Sequence, residues 1–317
     1  MVLFDRFGRP IYDLRIAVTA ECNLDCIFCH REGIWSESFY KCFKRPGATQ
    51  YLTPEVIQKV VKVAADFGVK SVKITGGEPL LRPDIVEIID RISAINSIKD
   101  LSMVTNGLLL RFFAKKIKKA GLKRINVSLH SLNEETYKRV TRSKSKDNIR
   151  NIIEGIEIAK DSGLNPVKVN VLILKGYNEK EINDFLKFGA ELGVVLQFIE
   201  LQEPNGYQSE FFRDHFYSLE SLEKQLEKEA SKIIVREMQH RRRYILPSGL
   251  EVELVRPMFN PDFCAHCTRL RVTATGEFKP CLMRDDNHVP FLDVISNEEA
   301  LKERFLEAVK RREPFFK

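Results

Sequence analysis

The chain has 317 residues, 44% of them hydrophobic, enough to bury one large α/β core with an appendage or two domains. Lysine and arginine outnumber aspartate and glutamate 51 to 44; the resulting charge of +7 suits an anionic small molecule and does not by itself argue for nucleic acid. No apolar run reaches the length of a membrane span, and the first eight residues carry charges and a turn signal in place of the apolar core of a secretion signal, so a cytoplasmic chain is expected.

Residues 14–18 read as a short strand that runs into a cysteine triad, Cys22-x3-Cys26-x2-Cys29. Thr53-Pro54 supplies an N-cap and a first-turn proline for a helix to about Phe67, closed by Gly68. Residues 69–75 alternate as a strand, the loop Gly76-Gly77-Glu78-Pro79 follows, and a helix runs over 83–94. Residues 101–104 are the third strand, after which Thr105-Asn106-Gly107 turns into an amphipathic helix ending at Gly121. Residues 124–128 form the fourth strand, and 148–161 are helical in period. Residues 167–174 are the fifth strand, 180–192 a helix and 194–200 the sixth strand. The alternation stops near Pro204. A helix over 219–230 precedes short strands near 233–236, 243–246 and 251–255, and then a second triad, Cys264-x2-Cys267-x13-Cys281. Its halves flank a predicted hairpin turning at Thr275-Gly276, which returns Cys281 beside the other two. A helix over 297–311 leads to Pro314-Phe-Phe-Lys317.

Six strand–helix units with short connections call for an α/β fold whose parallel sheet curls, through right-handed crossovers, into a partial (βα)6 TIM-like barrel. The expected organisation is a barrel over 1–204 and a C-terminal unit over 205–317 that carries the second triad. Such barrels place their active sites at the C-terminal ends of the strands. Polar residues recur there: the first cysteine loop, residues 76–79 and 105–107, Ser128 with His130, Lys168 with Asn170, and Glu200 with Gln202. The basic runs at 115–119, 241–243 and 311–312 read as solvated faces, and Cys42 as a bystander thiol.

Three thiolates are one short of the four that a [4Fe–4S] cluster takes, so each triad leaves one iron open to a small molecule. Disulfides suit small secreted chains. A zinc site needs four ligands, which His30 or His266 could complete. The uneven loop of the first triad favours iron–sulfur; spacing alone leaves the second open between iron–sulfur and zinc. Clustered thiols imply a reducing cytoplasm.

The first triad, with Phe28 at its aromatic position, resembles the signature of the radical S-adenosylmethionine (SAM) enzymes, and Gly76-Gly77-Glu78-Pro79 resembles that family's SAM amino-group motif. From about Asp13 to Cys281 the chain is similar to the GTP 3′,8-cyclase family of molybdenum-cofactor biosynthesis. The most specific part is Cys264-Ala-His-Cys-Thr-Arg269-Leu-Arg271-Val-Thr-Ala-Thr-Gly276 with Lys279-Pro-Cys281. The resemblance implies two [4Fe–4S] clusters. One, on Cys22, Cys26 and Cys29, would chelate SAM and yield a 5′-deoxyadenosyl radical that takes hydrogen from C3′ of GTP before C3′ closes on C8. The other, on Cys264, Cys267 and Cys281, would bind the purine. It also implies substrate contacts from Arg15, Lys168, Arg269, Arg271 and Thr273, with Arg15 counted as catalytic too, and SAM contacts from Phe28, Gly76, Gly77, Glu78 and Ser128. Arginine offers the triphosphate a fixed fork of donors.

The chain departs from the family's pattern in places. Lys73 stands at a GTP-contacting arginine, Val104 at a threonine, His130 at an aspartate and Gln202 at a SAM-contacting methionine, and a C-terminal Gly-Gly pair is not found. The implied class is a lyase with GTP as substrate, an electron donor for the first cluster and a pterin-forming enzyme downstream. Neither nucleic acid nor membrane is called for, and a homodimer is compatible. Two other readings differ. A radical SAM enzyme with one auxiliary cluster acting on a peptide need not carry Arg269-x-Arg271. A non-catalytic iron–sulfur or zinc protein would not need residues 76–79.

Overall fold

The computed structural model describes residues 2–33, 52–204 and 209–316; Cys42 lies outside them. Among the described residues, twelve strands are joined in one sheet: β1 (Asp13–Ala17), β2 (Ser71–Thr75), β3 (Asp100–Thr105), β4 (Arg124–Ser128), β5 (Val167–Ile173), β6 (Val195–Glu200), β7 (Lys232–Val235), β8 (Arg242–Ile245), β9 (Glu251–Val255), β10 (Arg269–Val272), β11 (Glu277–Lys279) and β12 (Val289–Pro290). The order is β12-β11-β10-β1-β2-β3-β4-β5-β6-β9-β8-β7. Neighbours from β10 through β1–β6 to β9 are parallel, and the outer pairs are antiparallel. The sheet is not closed, as a partial barrel requires, but its parallel part has eight strands where the sequence suggested six. The two extra strands come from beyond residue 204 and join opposite edges of the barrel.

Helices cover the outer face. The helix Pro54–Asp66 starts where expected, with Thr53 accepting from the Val56 N–H at 3.3 Å, and it buries Ile57, Val60, Val61 and Ala64. The helix Ile85–Ser93 buries Ile85, Ile88, Ile89 and Ile92, the i, i+3, i+4, i+7 stripe of a core-facing helix. Each such side chain contributes roughly 1.5–3 kcal/mol relative to exposure. The strands alternate beneath them. On β1, Leu14 and Ile16 are buried against the helix layer, while Asp13 and Arg15 point into the lumen. No helix among the described residues is long and apolar enough to cross a membrane.

Strand register then aligns charges. Across β10, β1 and β2, Arg271 pairs with Arg15 and Arg15 with Lys73. Neighbouring strands lie about 4.8 Å apart, so the three cations form one row across the lumen wall. Parallel direction also separates the triads. Cys22 follows the C-terminal end of β1. Cys267 precedes β10, and Cys281 follows β11, which is antiparallel to β10. The second triad therefore lies at the end of the lumen where β1 begins. A five-residue strand at about 3.3 Å per residue puts roughly 15 Å between the two ends.

Candidate active site

A cavity of about 740 Å³ runs through the lumen, and all six of these cysteines line it. The first triad sits on the loop after β1, held by the Ile27 N–H donating to Val140 O (3.0 Å) and the Asp25 N–H to Thr141 O (3.1 Å). The thiols are free and sense one another: burial pushes Cys26 up, and Cys29 and Cys22 add to the shift. Burial brings Cys22 up to about 11, opposed by the Leu24 N–H at 3.4 Å from its sulfur. Three free thiols on one cavity wall, with N–H groups directed at sulfur, suit an iron–sulfur cluster.

Residues 76–79 are pressed against the strand-one exit. The Gly77 N–H donates to Thr19 O (2.8 Å) and the Glu78 N–H to Glu21 O (2.7 Å). A Cβ at Gly77 would lie 2.0 Å from Glu21 O, so the approach demands glycine. Glu78 is buried and ties this loop to the next: it accepts from Leu80 N (3.0 Å), Thr105 Oγ1 (2.7 Å) and Asn106 N (2.7 Å). Burial takes its carboxyl up to about 7 against those donors. Phe28 packs edge-on against His130, ring centroids 4.7 Å apart. The Leu172 N–H donates to His130 Nδ1 (3.2 Å), and burial lowers His130 to about 4, so its ring is neutral.

Midway down the lumen lies the cation row. Lys73 reaches past Ser102, its small neighbour on β3, to donate to Asn126 Oδ1 at 3.0 Å. Burial drives Lys73 well below its ordinary value, and Arg124, Arg269 and Arg15 push the same way. Arg271 is lowered to about 9 by burial, against the pull of Glu32. Lys168 bonds Glu253 at 2.5 Å, and Gln197 holds the other oxygen of that carboxylate at 2.6 Å. Arg15 Nε, His30 Nδ1 and Arg241 Nε are buried at this cavity without a hydrogen-bond partner. The two orphaned guanidinium N–H groups and a concentration of basic side chains suit a polyanionic ligand.

The second triad is held by the chain crossing from β9 to β10. A short helix, Pro261–Ala265, capped by Asn260 accepting from the Phe263 N–H (3.1 Å), carries Cys264. Both ends of the chain brace this loop. Arg9 donates to Cys264 O at 3.0 Å, Arg312 donates to Cys267 O, and Asp5 accepts from both arginines at 2.8 and 2.9 Å. Burial alone would raise Cys267, but Arg312 and Arg269 bring it below its ordinary value. Phe315 and Phe316 line the cavity and turn backbone N–H groups on Cys264.

Of the residues expected from the sequence, Arg15, Phe28, Lys73, Gly76, Gly77, Glu78, Ser128, Lys168, Gln202, Arg269 and Arg271 line this one cavity with the six cysteines. Thr273 stands apart, its hydroxyl bonded within the hairpin to Thr275 Oγ1 (2.9 Å) and the Glu277 N–H (3.1 Å). Glu200 is not at the rim either. It falls on the opposite parity of β6 from Gln197 and Ile199 and holds Leu219 N and Arg256. Two basic runs are not wholly solvated. Arg241 lines the cavity, and Arg312 has a side chain only 1% exposed because Asp5 and the Cys267 carbonyl take its charge inside. The sequence reading missed Glu32, Arg236, Arg241 and Glu253; no spacing marks them, because their roles arise where distant strands meet.

Residues 16–189 match the Radical SAM superfamily, and residues 194–317 match Molybdenum Cofactor Synthesis C. Proteins described as probable GTP 3′,8-cyclases align along the whole chain. That of Thermococcus kodakarensis is 46% identical over 100% of both chains, and that of Methanocaldococcus jannaschii 44% identical over 99% of each. Among solved structures, Streptococcus suis SuiB bound to S-adenosylmethionine is similar in fold. Its TM-score is 0.61 at 19% identity, covering 98% of this chain and 68% of that one.

Proposed function

We propose, for a chain that belongs to the radical SAM superfamily and within it to the GTP 3′,8-cyclase family, the conversion of GTP to (8S)-3′,8-cyclo-7,8-dihydroguanosine 5′-triphosphate, the first step of molybdenum-cofactor biosynthesis. The observation that carries this reading is the layout of the lumen. Two triads face each other across it, and the row Arg271–Arg15–Lys73 lies between them. A nucleotide seated on that row has one end of the cavity for its base and the other for SAM.

The first cluster with SAM supplies, when bound, the one-electron cleavage whose carbon radical removes hydrogen from C3′ of GTP. Cys22, Cys26 and Cys29 would hold that cluster, and Gly76 and Gly77, which let their loop press on the Thr19–Glu21 backbone beside it, would take the methionine end of SAM. Cys264, Cys267 and Cys281 would hold a second [4Fe–4S] cluster and, through it, the guanine. Arg15, Arg271, Arg269, Lys73 and Lys168 bind the triphosphate, and their burial strengthens each contact relative to water. Fixing ribose and base together in one lumen brings C3′ to C8, the gain expected from orientation. The reaction class is that of a lyase. It needs an electron donor, both for the cleavage of SAM and, with a proton, to replace the hydrogen taken from C3′ once C3′ has bonded to C8, and it hands its product to a pterin-forming enzyme in a reducing cytoplasm.

The test is anaerobic incubation of the cluster-loaded protein with SAM, GTP and a reductant. The expected product is the cyclised nucleotide together with 5′-deoxyadenosine. Formation of 5′-deoxyadenosine without any nucleotide product would overturn the GTP assignment while keeping the radical SAM one.

A further inference from the structure

Two cations of the proposed triphosphate seat already hold an anion. Glu32 lies three residues beyond Cys29, on the turn Arg31–Gly33. Arg31 and Glu32 both adopt left-handed backbone, with φ of 46° and 55°. Residues other than glycine are uncommon there, and two in succession are held by their surroundings. This turn aims the carboxylate into the lumen. Oε1 accepts from Arg15 Nη2 at 2.8 Å and from Thr75 Oγ1 at 3.0 Å; Oε2 accepts from Arg271 Nη1 at 2.8 Å. One carboxylate thus bridges β1, β2 and β10, with 12% of its side chain exposed. Burial would raise its acid constant, but the two guanidiniums carry it down to about 2, so it stays ionised at any working pH.

A carboxylate and a phosphate present similar oxygens to a guanidinium fork. A phosphate within reach of both Arg15 and Arg271 would claim the donors that Glu32 now uses, and two anions crowded there would repel. A second internal anion, Glu253, occupies Lys168 in a similar way, but it lies within β9, fully buried, with Gln197 and Arg236 on its oxygens. Glu32 is on a turn outside the sheet, so it is the anion that can leave.

We propose that Glu32 is an internal stand-in for a substrate phosphate: it keeps Arg15 and Arg271 assembled in the empty enzyme and is expelled when the polyphosphate enters. The identity of that polyphosphate as GTP rests on the function proposed above; the displacement does not. Expulsion lowers the apparent affinity of every anion by the fraction of enzyme with Glu32 already out. It also favours ligands with enough charge to displace it.

The experiment compares wild type with Glu32→Gln and Glu32→Ala, all cluster-loaded, in equilibrium binding of inorganic tripolyphosphate and, separately, of GTP. Removing the charge should tighten tripolyphosphate binding by at least about ten-fold in both variants, a coupling of the size common between linked sites. Unchanged or weaker tripolyphosphate binding in both variants overturns the proposal, whatever GTP does. Weaker GTP binding with unchanged tripolyphosphate would assign Glu32 to the guanine instead, and also overturns it. A wild type that binds GTP no better than tripolyphosphate counts against the nucleotide reading and leaves the stand-in to be judged on its own arm. Wild-type protein gives a readout that needs no variant: amide exchange over residues 31–33 should speed up when tripolyphosphate is added. Slower or unaltered exchange there would sink the idea.

Discussion

Lys168 has the most informative titration among the lumen residues. Burial lowers it to about 8 although Glu253, 2.5 Å away, pulls in the opposite direction. Burial would also raise Glu253, but Lys168, Arg241 and Arg236 hold that carboxyl well below the usual range. A lysine whose folded pKa is depressed is charged below that value and loses its proton as pH rises through it. Its attraction for a phosphate should therefore be intact at neutral pH and fade above about pH 8. Linkage through one proton limits the loss of affinity to about ten-fold per pH unit. Measured from pH 6.5 to 9.5, GTP affinity should bend downward near pH 8 in wild type and run flatter in Lys168→Arg, whose charge does not titrate there. A flat wild-type profile would remove Lys168 from the triphosphate seat. The residue scale also shows what a sequence makes legible. Thiol spacing and the Gly76-Gly77 pair are local signals, readable because the chemistry sits on consecutive residues. Glu32, Glu253 and Arg241 carry no such signal, since a charged residue looks the same on a solvated face and in a lumen.

At the scale of elements, helix and strand periods placed most elements described in the first two-thirds of the chain to within a few residues, though they set no bounds for the helix Glu134–Thr141. The helix predicted over 83–94 spans Ile85–Ser93, and the fifth strand spans Val167–Ile173. The short helix Pro261–Ala265 was missed, because five residues are too few to show a period. Its placement depends on partners far along the chain. Arg312, 1% exposed in its side chain, joins Asp5 at 2.9 Å to the Cys267 carbonyl, and Arg9 does the same for the Cys264 carbonyl at 3.0 Å. Breaking a buried pair by removing one partner typically costs roughly 3–5 kcal/mol. Here the loss would fall on the loop that carries two thiols. Arg312→Ala should lower the melting temperature and reduce iron from about eight to about four atoms per chain, as expected when one of two four-iron clusters is lost. Arg312→Lys, which keeps the charge without the fork, should fall between. Full iron content with an unchanged melting temperature in Arg312→Ala would show that the clamp does not hold the second site.

For the whole molecule, the decisive event is one that periodicity cannot reveal. β9 and β10 leave the C-terminal part of the chain and extend opposite edges of the parallel sheet, so the connection between them runs from the C-terminal end of β9 to the strand beginnings where β10 starts. The two triads are thereby placed at opposite ends of one lumen, roughly 15 Å apart by strand rise. They hang on different loops, one braced by the backbone at Val140 and Thr141, the other by Arg9 and Arg312. Damage at one end should not propagate to the other. Cys267→Ser should keep about four irons per chain. It should also still bind SAM and release 5′-deoxyadenosine, while making no cyclised nucleotide because the base has lost its anchor. Cys26→Ser should do the reverse: no 5′-deoxyadenosine, with the second cluster retained and GTP affinity within about three-fold of wild type, well under the ten-fold that 1.4 kcal/mol represents. Iron content, 5′-deoxyadenosine yield and GTP binding, measured on both proteins, separate the cases. Cyclised product at the wild-type rate from Cys267→Ser would deny the second triad a part in holding substrate. Loss of both clusters from either variant would mean that the two ends are coupled through the shared sheet.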